Sequence, residues 1–310
     1  MNSLLRMPIG IDIFGEIIEK KMDFVDKSLF VKSVLDDTAK IIIITRPRRF
    51  GKTLNLSMLQ HFFAQEAYGL KTQGLFNGLK IAKDTEVMQH QGKYPVIFIS
   101  LKDLKDHSFE HSLSKLKLLV AEAYAEHSYL LTSDKLQDFD KEAIHTLLRG
   151  NSDQALLENS LRNLTLYLTQ HHGIKPWLLI DEYDSPIQSA FLHGYYPQMI
   201  NLMRNFLSAA LKTNPYLEKS VLTGILRVSK ESLFSGLNNV EVHTLLSNQY
   251  SDYFGFTEQE IQTLLSRAGL EQQSTDIRDW YNGYQAGKTI IYNPWSIMNC
   301  LVERGKLSGY

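Results

Sequence analysis

The sequence predicts an α/β fold: a mainly parallel sheet flanked by helices, followed by a small C-terminal subdomain of helix and hairpin. Three observations carry this. Short apolar runs recur as IIIIT at 41–45, KYPVIFISL at 93–101, WLLID at 177–181 and SVLTGIL at 220–226. They are apolar at successive positions, as strands buried on both faces must be. Helical periodicity fills the intervals, and strands alternating with helices imply right-handed crossovers into a parallel sheet. Beyond residue 227 the texture changes to loop, helix and hairpin, which sets a boundary between a main domain at 1–235 and a lid-like subdomain at 236–310.

The elements follow in order. Residues 9–40 read as a helical entry, with Phe24, Val25, Leu29, Phe30, Val34 and Leu35 at mostly helical spacing. After the first strand and a basic loop, LNLSMLQHFF places Leu54, Met58 and Phe62 on one helical face with Leu59 and Phe63 adjoining. Residues 108–171 form a long helical excursion, and NLMRNFLSAALK at 201–212 is the helix before the fourth strand. Near the end, Thr257 and Glu260 form a capping box for FTEQEIQTLLSRAGL. A hairpin turns at 285–288, and Asn293-Pro294 starts a last helix.

Composition excludes several classes of function. With 310 residues, 44% apolar and 22% charged, the chain can bury a full core. A formal net charge of −1 gives no electrostatic case for bulk nucleic-acid or membrane-surface binding. The one cysteine, Cys300, rules out an intramolecular disulfide framework and Cys-ligated metal sites. No stretch approaches the roughly eighteen apolar residues of a membrane span, so the expectation is a cytoplasmic protein with no membrane partner.

The chemistry concentrates at IIIITRPRRFGKT, residues 41–53. A buried strand feeding a tight loop and a helix N-terminus presents unpaired N–H groups to phosphate. Gly51-Lys52-Thr53 closes the G-x-x-x-x-G-K-[ST] pattern, but Arg46 stands where the pattern has its first glycine, with Pro47 next. The tripeptide alone is weak; its place between strand and helix strengthens it. A second element agrees: LLIDEYD puts Asp181 and Glu182 at the carboxyl end of an apolar strand, where acids must face a cleft, a cation or a partner. The expected cofactors are therefore ATP and Mg²⁺. Backbone N–H groups from Arg49, Phe50, Gly51, Lys52, Thr53 and Leu54 cradle phosphate, and Lys52 neutralises the β- and γ-oxygens. Thr53 and Asp181 hold the metal. Glu182 orients and polarises water as the base. Thr223 and Arg227, at the end of the fourth strand, stand where a γ-phosphate sensor belongs, and Arg227 can stabilise transferred charge.

Each residue has a structural alternative. Lys52 and Thr53 could simply start a helix, and Asp181 with Glu182 could be a solvated strand end. Arg46, Arg48 and Arg49 fit a solvated loop, phosphate contacts or pairing with carboxylates. Asp184 fits loop bracing or pairing with Arg48 or Arg49 as well as catalysis. Trp280, Tyr281, Tyr284, Tyr292 and Trp295 suit a small hydrophobic core better than a base-stacking platform. His171-His172 reads as a surface turn before Gly173.

Taken together, MDFVDKSLFVKSVL, ITRPRRFGKTLNLSMLQHFF, LLIDEYDSPI, TGILRVSKESLFSGLNNVEVHTLLS, FGFTEQEI and WYNGYQAGKTIIYNPWSIM resemble the bacterial and archaeal AAA-ATPase-like family. These motifs span nearly the whole chain. The family is related to STAND-type and archaeal P-loop ATPases, and its RPRRFGK loop also lacks the first glycine. The resemblance implies an ASCE/AAA-like P-loop NTPase fold. It also implies Mg-ATP binding through Gly51, Lys52 and Thr53, an acid pair at Asp181 and Glu182, and an arginine sensor at Arg227. Members often continue into a PD-(D/E)XK nuclease-like domain. This sequence stops at GKLSGY, so it is read either as cut short before such a domain or as naturally lacking it, and no D…(D/E)xK pair supports nuclease activity. Three functions are weighed: an ATPase acting as a switch or assembly motor, a nucleotide-gated module controlling a nuclease-like or other partner, and, ranked last, a small-molecule kinase. The protein partner is unidentified and oligomerisation stays open.

Overall fold

The computed structural model describes residues 5–226, 233–234, 240–281 and 283–309. In chain order its elements begin with α1 (Phe14–Glu19), α2 (Leu29–Asp36), β1 (Ile41–Thr45) and α3 (Lys52–Phe63). Two-residue strands β2 (Glu66–Ala67) and β3 (Leu70–Lys71) and the short α4 (Thr85–Met88) come next. The middle of the chain holds β4 (Val96–Ser100), α5 (Phe109–Ala125), α6 (Asp138–Leu148), α7 (Gln154–His172), β5 (Trp177–Asp181), α8 (Ser185–His193), α9 (Tyr196–Leu211) and β6 (Lys219–Gly224). The last described elements are β7 (Val240–His243), β8 (Phe256–Thr257), α10 (Glu258–Ala268), α11 (Ser274–Tyr281), β9 (Tyr284–Ala286), β10 (Thr289–Tyr292) and α12 (Pro294–Val302). The chain divides into two compact units: Ala39–Ile44 with Tyr94–Val242, and Met1–Thr38 with Thr45–Lys93 and His243–Tyr310.

The first of these is the sheet unit, with strand order β4-β5-β6-β1-β7. β4 pairs with β5 in parallel from Val96↔Trp177 to Ser100↔Asp181, and β5 with β6 from Trp177↔Lys219 to Ile180↔Leu222. Every residue of β1 and β5 is buried, the outcome that unbroken apolar runs require of a sheet covered on both faces. Ile41, Ile43, Ile97, Ile99, Leu178, Ile180 and Leu222 share a core with Leu116, Leu161, Leu164, Met203 and Phe206 of the helices. β6 runs between β1 and β5, so the strand expected to carry the sensor lies beside the strand that carries the acid pair.

The helical excursion resolves into α5, α6 and α7. Ser108 and Asp153 cap the first and last by accepting from the backbone N–H of His111 and Leu156 at 3.3 and 2.8 Å. His171 and His172 differ from the expected turn. They occupy the last turn of α7, and Gly173, left-handed at φ 71, stops the helix one residue later. His171 Nδ1 lies 2.8 Å from Ser133 Oγ, and His172 Nε2 lies 2.9 Å from Tyr129 Oη.

In the second unit the expected helical entry is broken into α1 and α2. Between them the Asp26 carboxylate accepts from the backbone N–H of Ser28 and Lys80 at 2.8 and 2.7 Å, and Lys27 donates to both Glu260 oxygens. Side-chain bonds of this kind compete with helical ones. Helix α3 is buried almost all round rather than on one face. Several of its polar atoms have partners: Ser57 Oγ accepts from Phe14 N–H at 3.0 Å, Asn55 Nδ2 donates to Tyr253 O at 2.9 Å, and His61 Nδ1 lies 2.7 Å from Ser57 O.

The C-terminal part of this unit builds the antiparallel sheet β8-β10-β9. Its hairpin turns at Gly287, where φ is 54 and an added Cβ would fall 2.6 Å from Asn248 Oδ1, so only glycine fits. The Thr257–Glu260 capping box and the Asn293 cap of α12 form as the sequence predicts. Phe256, Ile261, Leu264, Tyr292, Ile297 and Cys300 form a core. The aromatic group divides: Tyr292 is in that core, Tyr281 packs against it, and Trp280 and Tyr284 are exposed. Among the described residues no helix is long and apolar enough to cross a membrane.

Candidate functional site

The loop after β1 is built around a buried arginine. Arg46, where a glycine was expected, is 1% exposed and acts as a post for the backbone. Its Nη1 donates to Thr45 O at 2.9 Å and His243 O at 3.1 Å, and its Nη2 donates to Tyr250 O at 3.1 Å. The guanidinium sits over the Phe254 ring at 5.4 Å. Burial pulls its pKa down to about 10, still far above neutrality, so the group stays charged. None of the three sequence readings for Arg46 fits: its partners are carbonyl oxygens, where solvent, phosphate or carboxylates were expected. The shape that glycine would give by conformational freedom is imposed here by three hydrogen bonds.

Further along, the chain uses positive φ twice, at Arg49 (67) and Gly51 (78). An added Cβ at Gly51 would meet nothing within 4 Å, so glycine is required there by its dihedral angle alone. Gly51 stands at the N-cap of α3, which receives no side-chain cap. Lys52 is buried and its Nζ donates to Arg46 O at 3.0 Å and Pro47 O at 2.7 Å, so the ammonium lies across the loop's own carbonyls. Thr53 and Leu54, half-buried, complete the first turn. Phe50 is buried against Ala286, Ile291 and Leu245, and the exposed Arg49 lies over the Trp295 ring.

The turn after β5 is held by side chains. Asp181, fully buried, accepts from Thr223 Oγ1 at 2.5 Å. Glu182 follows in the left-handed region, with φ 51, a conformation that costs a non-glycine residue of order 1–3 kcal/mol. Its Oε2 accepts from Ser185 Oγ at 2.7 Å and pairs with Lys105 Nζ at 3.3 Å. Asp184 takes the bracing role among its alternatives. It accepts from the N–H groups of Ile225 and Leu226 at 3.1 and 2.7 Å, and from Gln188 Nε2 at 2.5 Å. Gly224 makes room for this contact, because a Cβ there would fall 2.6 Å from Asp184 Oδ1. Arg227 lies outside the described residues.

A divalent cation suits the donors at this strand end. Ser100 is in register with Asp181 on the neighbouring strand, so both side chains leave the same face. Its hydroxyl is buried and, among the described residues, has no hydrogen-bond partner. A buried carboxylate beside an orphaned hydroxyl is an all-oxygen set, the kind that Mg²⁺ and its waters accept. Lys105 and Ser185 escaped the sequence reading, since nothing in their spacing ties them to Glu182.

The chain is 28% identical over 311 residues to the "Uncharacterized protein in vnfD 5'region" of Azotobacter chroococcum mcd 1, covering 96% of this chain and 52% of that protein. It thus spans about half the length of that relative. No solved structure matches. The Predicted AAA-ATPase family matches residues 8–234, which include β1 with its loop and β5 with its acid pair; the chain belongs to that family.

Proposed function

We propose that the protein binds ATP with Mg²⁺ and hydrolyses it, using the cycle as a switch or assembly motor. The observation that carries this is Lys52, a buried ammonium bridging loop carbonyls at the uncapped start of α3. Backbone N–H groups of Arg49 to Leu54 take the phosphates, and Lys52 exchanges its carbonyl partners for β- and γ-oxygens. Thr53 and Asp181 would hold Mg²⁺, which supplies charge neutralisation when bound. Thr223 fixes the Asp181 carboxylate by its hydroxyl. Glu182 accepts the proton of the attacking water, and Arg227 stabilises charge on the transferred group. Residues 236–310 are proposed to act as the lid.

A second reading is a nucleotide-gated module that turns over little and controls a nuclease-like or other protein partner. One observation favours it: Glu182 Oε2 already accepts from Ser185 and pairs with Lys105, so the carboxylate is engaged by the protein itself. Binding and phosphate release measured on the wild type, Lys52→Ala and Glu182→Gln separate the two. Hydrolysis predicts that Glu182→Gln binds ATP but releases phosphate at least about a hundredfold more slowly than wild type. Equal slow release by wild type and Glu182→Gln, with nucleotide-dependent protease protection near 236–255, sinks it in favour of gating.

A further inference from the structure

The phosphate loop is completed by residues beyond the stretch that the family profile matches. Phe50 is 1% exposed, packs on Ala286 and Ile291, and meets the Tyr284 ring edge-on at 5.2 Å. Gly255, at φ 104, lets this happen, since a Cβ there would fall 3.1 Å from the Phe50 ring. Arg49, the preceding residue, points the other way. It is exposed, its backbone is left-handed, and its guanidinium carbon stands 4.9 Å from the centre of the Trp295 ring at the start of α12. One side chain is thus anchored inward and the next is clasped outside, which fixes the peptide between them.

A stacked guanidinium uses its flat face on the ring and leaves its N–H edge for an anion. Arginine is weakly hydrated and loses little on stacking, while its planar fork matches phosphate oxygens in pairs. An exposed arginine without the ring would spread over many rotamers, and binding would have to order it. We infer that Trp295 is a positioning residue for nucleotide binding: it holds the Arg49 guanidinium so that the loop offers a second, placed cation to the polyphosphate in addition to Lys52. This rests on the nucleotide-binding reading above and adds to it a residue 243 positions downstream of Lys52, outside the matched residues 8–234. The aromatic ring at 295, read from sequence as core or base platform, becomes an accessory to phosphate.

The test is a double-substitution cycle on the full chain, with ATP, ADP and inorganic tripolyphosphate titrated calorimetrically in the presence of Mg²⁺. Arg49→Met and Trp295→Leu should each weaken ATP binding about two- to fivefold, the range for an exposed cation–π contact. The double variant should bind no more weakly than Arg49→Met, because Trp295 acts only through Arg49. Trp295→Phe, which keeps a ring and guards against a folding defect, should restore most of the loss. Tripolyphosphate should show the same pattern as ATP, and the salt dependence of affinity should become shallower in Arg49→Met and Trp295→Leu alike. Losses that multiply in the double variant, or a Trp295→Leu protein that binds as wild type, overturn the inference. So does a loss seen with ATP but absent with tripolyphosphate, which would place Trp295 against the base. If the wild type shows no Lys52-dependent binding, the nucleotide reading falls and takes this one with it; if binding is Lys52-dependent and the cycle is additive, only the role of Trp295 fails.

Discussion

The loop after β1 and the turn after β5 both leave a fully buried strand, yet they are held in different ways. The first is fixed through main-chain carbonyls: Arg46 and Lys52 donate to five of them between the two side chains, from Thr45, Arg46, Pro47, His243 and Tyr250. The second is fixed through side chains, with Thr223 on Asp181, Ser185 and Lys105 on Glu182, and Gln188 on Asp184. A loop held by carbonyls keeps its shape while its cation is lent to a ligand. A turn held by side chains sets the direction and charge of each carboxylate separately. The first arrangement suits a cradle and the second suits chemistry.

Substitutions can break that contrast, and the largest effect is expected at the acid turn. Glu182→Gln keeps the shape and the Ser185 donor but removes the base, so phosphate release should fall ~10²- to 10⁴-fold while ATP affinity stays within a few-fold. Single-turnover release and equilibrium binding check this together. At the loop, Arg46→Gly restores the glycine of the sequence pattern and should nonetheless damage the protein. It strands buried carbonyls and opens a cavity, for a loss of about 3 kcal/mol or more in denaturant unfolding. An Arg46→Gly protein as stable as wild type would mean that the three hydrogen bonds are incidental. Lys52→Ala should weaken nucleotide binding roughly 10- to 100-fold with a smaller effect on unfolding, since charge-assisted contacts to phosphate are lost. Thr223→Val removes one hydroxyl at constant volume and should cost about 1–3 kcal/mol of stability by leaving a buried Asp181 oxygen short of its donor. The smallest change is Thr257→Ala, which removes the side-chain cap of α10; about 1 kcal/mol in unfolding and unchanged ATP binding are expected.

Much of this was legible in the sequence because burial on both faces of a parallel sheet writes itself as uninterrupted apolar runs. WLLID gave β5 to the residue, and Thr257 with Glu260 gave the start of α10. The helical entry was less legible. The bonds of Asp26 and Lys27 that break it reach Lys80 and Glu260, and no local pattern carries partners so distant. For the same reason Gly51 and Lys52 could be picked out by spacing, whereas the work of Arg46 could not. A basic residue in a basic loop looks the same whether its guanidinium faces water or three carbonyls. Asp184 was separable from Asp181 only once Gly224 showed how closely the next strand's end approaches it.

Arg46 also imposes an order on the making of the protein. Two of its acceptors, His243 O and Tyr250 O, belong to residues 197 and 204 positions later in the chain. On a ribosome adding ~5–20 residues per second, roughly 10–40 s separate the appearance of this arginine from that of its last acceptor. Through that interval the nascent loop has its glycine and lysine but not its post, so the loop's final shape is set only after Tyr250 has been made.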